Sequence, residues 1–233
     1  MSHANRYREM LIQVAEALGP ELRQQMAFVG GCTTALLITD DFTREQVRHT
    51  DDVDLIVHLV GYASYSSLQE QLRELGFRES VENDDPICAM RLGELRVDFM
   101  PDNEKILGFS NRWYRDALIF ADDYPLTEGI SIKLVKPVYF VATKLEAYLG
   151  RGGNDPLGSR DIEDLLNLFD GRPELLAEIK QAASELRQYI SVEIGALLNN
   201  SDFIYAVQSC ALGDGDRETL IYERLEQAAK GVL

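Results

Sequence analysis

The sequence predicts an α+β fold, a sheet with flanking helices that is followed by a run of helices. Short apolar runs typical of strands lie between Met26 and Val135, and amphipathic helical patterns separate them. From Pro137 onward the apolar residues recur at helical spacing. The 233 residues are enough for one domain or two closely packed ones, and we expect domains over residues 1–136 and 137–233.

The first part of the chain alternates predicted helices and strands. Residues 4–18 have the spacing of an amphipathic helix, which Gly19-Pro20 ends. A strand over Met26–Val29 stops at Gly30-Gly31, a helix is predicted over 32–39, and the polar residues 40–51 predict a loop. The remaining predictions are a strand opened by Asp52, a helix over 64–76, strands over 77–81, 87–92 and 94–100 with a turn at 82–86, and one or two strands over 124–135.

The second part of the chain is predicted to be helical. Pro137 suits the first turn of a helix that continues to Leu149, and Ser159 can cap another that ends near Phe169. Between them, residues 151–158 carry three glycines and a proline, which fits either a mobile lid or a plain connection. Three more helices are predicted over 173–198, 201–212 and 216–230.

The stretch from Phe28 to Val57 carries the first chemical signal. A glycine pair between a strand and a helix can bring backbone N–H groups and a helix N-terminus up to phosphate. Asp52 and Asp54 are two residues apart in a predicted strand, so their side chains project to one face and can hold divalent cations. Taken singly, the glycine pair also fits an ordinary turn, and the acid pair also fits a solvated strand end.

A third carboxylate strengthens this interpretation. In the alternating segment 94–100, Asp98 shares a face with Glu94 and Arg96. If this strand lies beside the one that carries Asp52 and Asp54, three carboxylates converge, which is the charge that two metal ions about 4 Å apart require. A phosphate cradle beside a metal clamp is the apparatus of phosphoryl or nucleotidyl transfer.

The order of these motifs resembles the nucleotidyltransferase superfamily of polymerase-beta-like fold. The Arg-x-Thr-x-Asp-Val-Asp-Leu sequence of residues 48–55 is similar to the Arg-x-Thr-x-Asp-Ile-Asp-Leu motif of AbiEii-type nucleotidyltransferase toxins. Lys144, Arg151 and the Arg-Asp-Ile-Glu-Asp-Leu sequence of residues 160–165 resemble the helical motifs of that group. The resemblance implies a mixed sheet with flanking helices and a C-terminal helical domain that completes the active-site cleft.

The resemblance also implies a reaction, in which a nucleoside monophosphate passes from a nucleoside triphosphate to an acceptor hydroxyl with release of pyrophosphate. Magnesium, as two ions, is the expected cofactor, with Asp52, Asp54 and Asp98 as ligands. Asp98 also helps to activate the acceptor. The triphosphate would be held by Gly30 and Gly31, with the hydroxyl of Thr33 or Thr34, while Arg48 contacts phosphate and Thr50 supports the metal-binding turn.

Three residues of the helical part are further candidates. Lys144 fits either an aliphatic stem that snorkels to water or, on the resemblance, a point charge on the triphosphate. Asp161 and Asp164 share a helix face, and acids in a first turn are also favoured by the helix dipole alone. We assign Asp164 to structure and Asp161 to the cleft, and keep both as candidate catalytic residues.

Composition limits the partners. A net charge of −16 opposes long-range attraction of a polyanion. Seven basic residues nevertheless fall near the proposed site and could form a local basic patch. Those residues are Arg44, Arg48, Lys133, Lys136, Lys144, Arg151 and Arg160. Three cysteines without metal-type spacing predict reduced thiols, and with neither a signal-peptide core nor a run of about 20 apolar residues a cytoplasmic location away from membranes is expected.

Three functions remain open for the acceptor and the activity. The first is a toxin-like enzyme that modifies tRNA ends or another cellular target and has an antitoxin protein as partner. The second is a small-molecule nucleotidyltransferase of the antibiotic-modifying kind, which suits the acidic composition better. The third is a non-catalytic nucleotide-binding module, and the presence of Asp52, Asp54 and Asp98 argues against it.

Overall fold

The computed structural model describes residues 3–80, 82, 85–151, 153 and 155–231. These residues form seven strands and twelve α-helices, which confirms the α+β class. The strands are β1 (Met26–Val29), β2 (Asp52–Val57), β3 (Arg78–Glu79), β4 (Ala89–Leu92), β5 (Leu95–Pro101), β6 (Asp122–Thr127) and β7 (Ile130–Leu134). The helices are α1 (His3–Arg23), α2 (Thr34–Leu37), α3 (Asp41–Gln46), α4 (Tyr62–Glu74), α5 (Glu104–Leu107), α6 (Tyr114–Ile119), α7 (Pro137–Gly150), α8 (Arg160–Gly171), α9 (Leu175–Gln181), α10 (Ser184–Leu198), α11 (Phe203–Cys210) and α12 (Gly215–Ala229).

The chain divides into two compact units. The first comprises residues 1–33 and 48–136, and the second comprises residues 34–47 and 137–233. The boundary after Lys136 coincides with the one expected from the sequence, but residues 34–47, which the sequence placed in the first domain, group with the helices of the second unit.

The first unit is built on one mixed sheet with the strand order β3-β4-β5-β2-β1-β7-β6. The pairs β2–β5 and β1–β7 are parallel, and the other neighbours are antiparallel. Every residue of β1 is buried, as expected for a central strand covered on both faces. Along β2, Val53 and Leu55 are buried while Asp52 and Asp54 are half-buried, so the alternation in the sequence predicts the two faces correctly.

The second unit consists of helices in its described part. Helix α8 has a strongly amphipathic sequence and packs against α7, with Ile162, Leu165 and Phe169 buried. The segment 34–47 is fixed to the C-terminal end of α8, where the Gly171 carbonyl accepts hydrogen bonds from the backbone N–H groups of Thr39 and Asp40, both at 3.0 Å.

Several elements differ from the sequence predictions. The predicted loop over 40–51 contains α3, which Asp40 caps by accepting a hydrogen bond from the Thr43 backbone N–H at 2.8 Å. The helix predicted over 173–198 is two helices that break at Ala182-Ala183, and Gly31–Thr33 forms a 3-10 turn before α2. Parts of three other predictions (Val81 of a strand, Asn83 and Asp84 of a turn, Gly152 and Asn154 of the lid) lie outside the described residues.

No helix in the described part of the chain has the length and apolar character needed to span a membrane.

The close packing of segment 34–47 on α8 gives a test of the second unit. A Cβ at Gly171 would lie 2.6 Å from Ile38 Cγ2 and 2.8 Å from Thr43 Cβ, so Gly171→Ala forces the segment away. We expect this substitution to lower the free energy of unfolding by about 1–3 kcal/mol, measured by urea denaturation.

Gly195→Ala is the matched control, since it adds the same methyl group within α10 where no atom lies within 4 Å. It should raise the free energy of unfolding slightly, because alanine is the better helix former. Equal effects of the two substitutions would show that segment 34–47 is not packed on Gly171.

Candidate functional site

The glycine bend lies beside Asp54. Val29, the last residue of β1, is paired with Asp54 of β2, and Gly30 follows it with a φ of +80°. A Cβ at Gly30 would lie 1.7 Å from Asp54 Oδ2, so the carboxylate occupies the space that a side chain would fill. Glycine is therefore required here both for the left-handed backbone and for the close approach of Asp54.

The threonines after the bend have different surroundings. The Thr33 backbone N–H and hydroxyl both donate to the Gly30 carbonyl, at 3.1 and 2.8 Å, and so hold the turn closed. Thr34 is fully buried, and its hydroxyl has no hydrogen-bond partner among the described residues. The hydroxyl of Thr33, a candidate phosphate ligand, is thus hydrogen-bonded within the turn. Gly31 is the first residue of the 3-10 turn.

The three predicted carboxylates share one face of the sheet. The parallel register of β2 and β5 pairs Asp54 with Asp98 and Asp52 with Arg96. Since paired residues in adjacent strands project to the same side, Asp52, Asp54 and Asp98 meet on the face opposite Val53 and Leu55. The sequence analysis assumed that the strand of Asp98 lies beside the strand of Asp52 and Asp54. The structure shows this pairing between β5 and β2.

The residues that precede β2 hold the first acid. The Thr50 hydroxyl donates to a carboxylate oxygen of Asp52, as expected for a residue that supports this turn. Arg48 is half-buried, and its backbone carbonyl accepts a hydrogen bond from the Tyr7 hydroxyl of α1. Thr50 therefore holds the Asp52 carboxylate, and the backbone at Arg48 is tied to α1.

Arg96 is a member of the site that the sequence analysis did not select. Its Nη2 donates to Asp52, its Nε lies 3.2 Å from Asp98 Oδ1, and its Nη1 lies 3.4 Å from Asp85 Oδ1. Burial opposes its charge, but the carboxylates of Asp98, Asp52 and Asp85 together raise the pKa of Arg96 above its usual value. The alternation of segment 94–100 already placed Arg96 on the Asp98 face, whereas nothing in the sequence indicated Asp85.

Asp98 lies in a strongly perturbed environment. It is 5% exposed, and burial raises its pKa to about 6, with Asp52 adding to the effect and Arg96 opposing it. Its Oδ1 is buried and accepts no hydrogen bond from the described residues. The nearby thiol of Cys88 is affected by the same surroundings, since burial and the charges of Asp98 and Asp54 raise its pKa to about 12. Such a thiol is a poor nucleophile at neutral pH.

The donor set can be compared with the requirements of a magnesium site. Mg²⁺ binds one or two carboxylates together with water and substrate phosphates. Asp98 Oδ1 accepts no hydrogen bond but lies 3.2 Å from Arg96 Nε, and the missing Cβ at Gly30 leaves room for the Asp54 carboxylate at the bend. As the side chains stand, no three or more His, Cys, Asp or Glu residues of the described part are grouped to hold a metal ion, and Arg96 lies between the acids. Carboxylate oxygens are the chemical type that magnesium binds, whereas in the structure Asp52 and Asp98 are ion-paired with Arg96.

The helical candidates form a cluster within the second unit. Lys144 of α7 is 7% exposed, and its Nζ lies 2.6 Å from Asp164 Oδ2 and 3.3 Å from Asp161 Oδ1 on α8. Arg151 also pairs with Asp161. Lys144 therefore does not snorkel to water, and it contacts both acids that the helical spacing placed on one face. Ser159 caps α8 as predicted, with its hydroxyl accepting from the Ile162 N–H at 3.3 Å.

Compared with models of known protein families and with curated protein sequences, the chain shows no significant match to either. The geometry of the site and the resemblance of its motifs are therefore the grounds for a functional proposal.

The glycine bend gives a first test of the site. We expect Gly30→Ala to lower the free energy of unfolding by roughly 2–4 kcal/mol, because it combines a strained φ with a clash against the Asp54 carboxylate. Gly93→Ala is the control, since Gly93 also has a positive φ of +62° but nothing within 4 Å of an added Cβ. Equal losses in the two variants, measured by urea denaturation, would mean that Asp54 does not lie against the bend.

The raised pKa of Asp98 gives a pH-dependent test. The pKa of the Asp98 carboxyl is 3.8 in the unfolded chain and about 6 in the folded protein. The folded protein therefore binds this proton more tightly than the unfolded chain does. The contribution of Asp98 to stability is then full below pH 3.8 and is lost as the pH rises through 6. In EDTA, we expect Asp98→Asn to be more stable than wild type at pH 7.5, by on the order of 3 kcal/mol.

The measurement is the difference in unfolding free energy between wild type and Asp98→Asn from pH 4 to 8, since the subtraction removes the titration of groups that both proteins share. A difference that stays constant across this range would contradict the environment described for Asp98.

Proposed function

We propose that the protein is a metal-dependent nucleotidyltransferase that moves a nucleoside monophosphate from a nucleoside triphosphate to an acceptor hydroxyl. The observation that carries this proposal is the register of β2 and β5, which sets Asp54 opposite Asp98 beside the Gly30 bend. Three carboxylates on one face of the sheet, next to a glycine bend that leads into a 3-10 turn, suit a triphosphate and its cations.

The roles of the residues follow from their positions. Asp52, Asp54 and Asp98 would hold magnesium, which when bound supplies charge neutralisation and a lowered pKa of the acceptor hydroxyl. Gly30 and Gly31 offer backbone N–H groups to the triphosphate, and Thr33 keeps their turn closed. Thr50 orients Asp52 through its hydroxyl.

Asp98 is the candidate proton acceptor. Its buried Oδ1, which accepts no hydrogen bond from the described residues, would take the proton of the acceptor hydroxyl. The acceptor oxygen then forms a bond with the α-phosphorus, and the bond from this phosphorus to the β-phosphate bridging oxygen breaks. Pyrophosphate leaves with the electron pair of that bond.

The remaining candidates enter the proposal through the resemblance alone. It assigns Lys144, with Arg48, to neutralising charge on the leaving pyrophosphate, and it assigns Asp161 and Asp164 to supporting positions. In the second unit, the ammonium of Lys144 is buried and paired with Asp161 and Asp164.

Two acceptor classes are proposed. The resemblance to AbiEii-type toxins favours a cellular target such as a tRNA end, with an antitoxin protein as partner. The net charge of −16 instead favours a small molecule, because an acidic protein repels a polyanion at long range. Toxicity on expression that a neighbouring gene relieves would support the first class.

The test is incubation with each α-labelled nucleoside triphosphate, magnesium and cell extract, followed by separation of labelled macromolecules and small molecules. We expect magnesium-dependent labelling that Asp52→Asn and Asp98→Asn each reduce by at least about 100-fold, since each removes a ligand charge at the reacting centre. Asp123→Asn is the matched control, because Asp123 lies on β6 with its side chain 63% exposed and pairs with Lys133.

Full labelling by either site variant would refute the proposal. Nucleotide binding without label transfer in wild type, with every triphosphate tested, would instead identify a non-catalytic nucleotide-binding module.

A further inference from the structure

The guanidinium of Arg96 occupies a shared position among acids from three segments. It contacts Asp52 of β2, Asp98 of its own strand, and Asp85, which precedes β4. The Arg96 side chain is 29% exposed, whereas those of Asp98 and Asp85 are 8% and 7% exposed. Ion pairs in such surroundings are screened less by solvent than pairs on the open surface are.

Asp85 differs from the other two acids because a second arginine also binds it. Arg91 of β4 donates to Asp85 Oδ2 from Nη2 at 2.6 Å and from Nε at 3.1 Å, and the Ser80 hydroxyl donates to the same oxygen. Arg91 and Arg96 are directly opposite each other in the β4–β5 register. Like charges so placed repel, and Asp85 offsets the repulsion by binding both.

Arg96 therefore has partners on two sides. On one side Asp85 holds it through Nη1, and on the other Asp52 and Asp98 hold it through Nη2 and Nε. Asp52 and Asp98 are two of the acids that the proposed function assigns to cations. A divalent ion with oxygen ligands about 2 Å away and the guanidinium cannot both make their closest contacts with these oxygens.

We propose that Arg96 is a built-in countercation that competes with divalent metal ions for Asp52 and Asp98, and that it stays bound to Asp85 when a metal ion takes these two acids. This inference rests on the metal site of the proposed function. Without metal, Arg96 balances the charge of the buried acids. With metal, its released N–H groups face the site as donors for the phosphate oxygens of the substrate.

The inference predicts that removing Arg96 strengthens metal binding. Mn²⁺ alone, without nucleotide, is titrated into each protein, and free Mn²⁺ is counted by electron paramagnetic resonance. We expect Arg96→Met to bind Mn²⁺ at least about tenfold more tightly than wild type, since an internal positive charge a few ångströms from the ion is removed. Arg73→Met on α4 is the control, since it removes the same charge where Arg73 pairs with the exposed carboxylate of Glu79, and its Mn²⁺ affinity should stay close to wild type.

Asp85 supplies a second, independent readout. Asp85→Asn removes the alternative partner of Arg96 and should weaken Mn²⁺ binding in the wild-type background, because Arg96 then depends on Asp52 and Asp98 alone. In the Arg96→Met background the same substitution should weaken binding less, because only the negative charge of Asp85 near Asp98 is then lost. If Arg96→Met does not fold without metal, Arg96→Lys serves instead, and its single ammonium cannot contact all three acids at once.

The outcomes separate this inference from the proposed function. Equal Mn²⁺ affinity in wild type and in Arg96→Met, or a wild-type response to Asp85→Asn in both backgrounds, would overturn the role of Arg96 and leave the metal site standing. Failure of both wild type and Arg96→Met to bind Mn²⁺ would overturn the metal site itself, and with it the proposed function.

Discussion

The parallel pairing of β2 with β5 is the constraint on which the rest of the site depends. It joins two strands that are far apart in sequence and sets Asp54 opposite Asp98 and Asp52 opposite Arg96. A shift of one residue would turn every side chain of one strand to the other face. The buried residues Val53, Leu55, Val97 and Phe99 resist such a shift, because it would expose them and bury the acids. The apolar face of the sheet thus fixes the position of the polar one.

Charge balance is the second constraint, and it is met locally. Burying carboxylates is unfavourable unless positive charge or hydrogen bonds compensate them. In the first unit Arg96, Arg91 and the Thr50 hydroxyl supply this compensation, yet Asp98 retains a raised pKa and an oxygen without a hydrogen bond. In the second unit the positive charge of Lys144 compensates the negative charges of Asp161 and Asp164. A site that is compensated incompletely by its own side chains is suited to a cationic ligand.

The sequence predicts individual elements well because their signals are local. Alternation of polar and apolar residues was enough to place Asp52 and Asp54 on one face, and the apolar run of β1 ends at Gly30 as expected. The pairing of Arg96 with Asp85 was not predictable, since Asp85 comes from a turn whose course depends on the fold. Helix α3 was missed because it lacks apolar periodicity and depends on the Asp40 cap, and the break between α9 and α10 has no glycine or proline to mark it.

We propose that Asp52, Asp54 and Asp98 together hold divalent cations beside the glycine bend. The most direct measurement is a crystal structure with Mn²⁺ and a non-hydrolysable nucleoside triphosphate, with the metal located by anomalous scattering. We expect anomalous peaks in contact with Asp52, Asp54 and Asp98, and triphosphate oxygens near Gly30 and Gly31. Peaks at other residues, or a triphosphate bound on another face of the sheet, would contradict it.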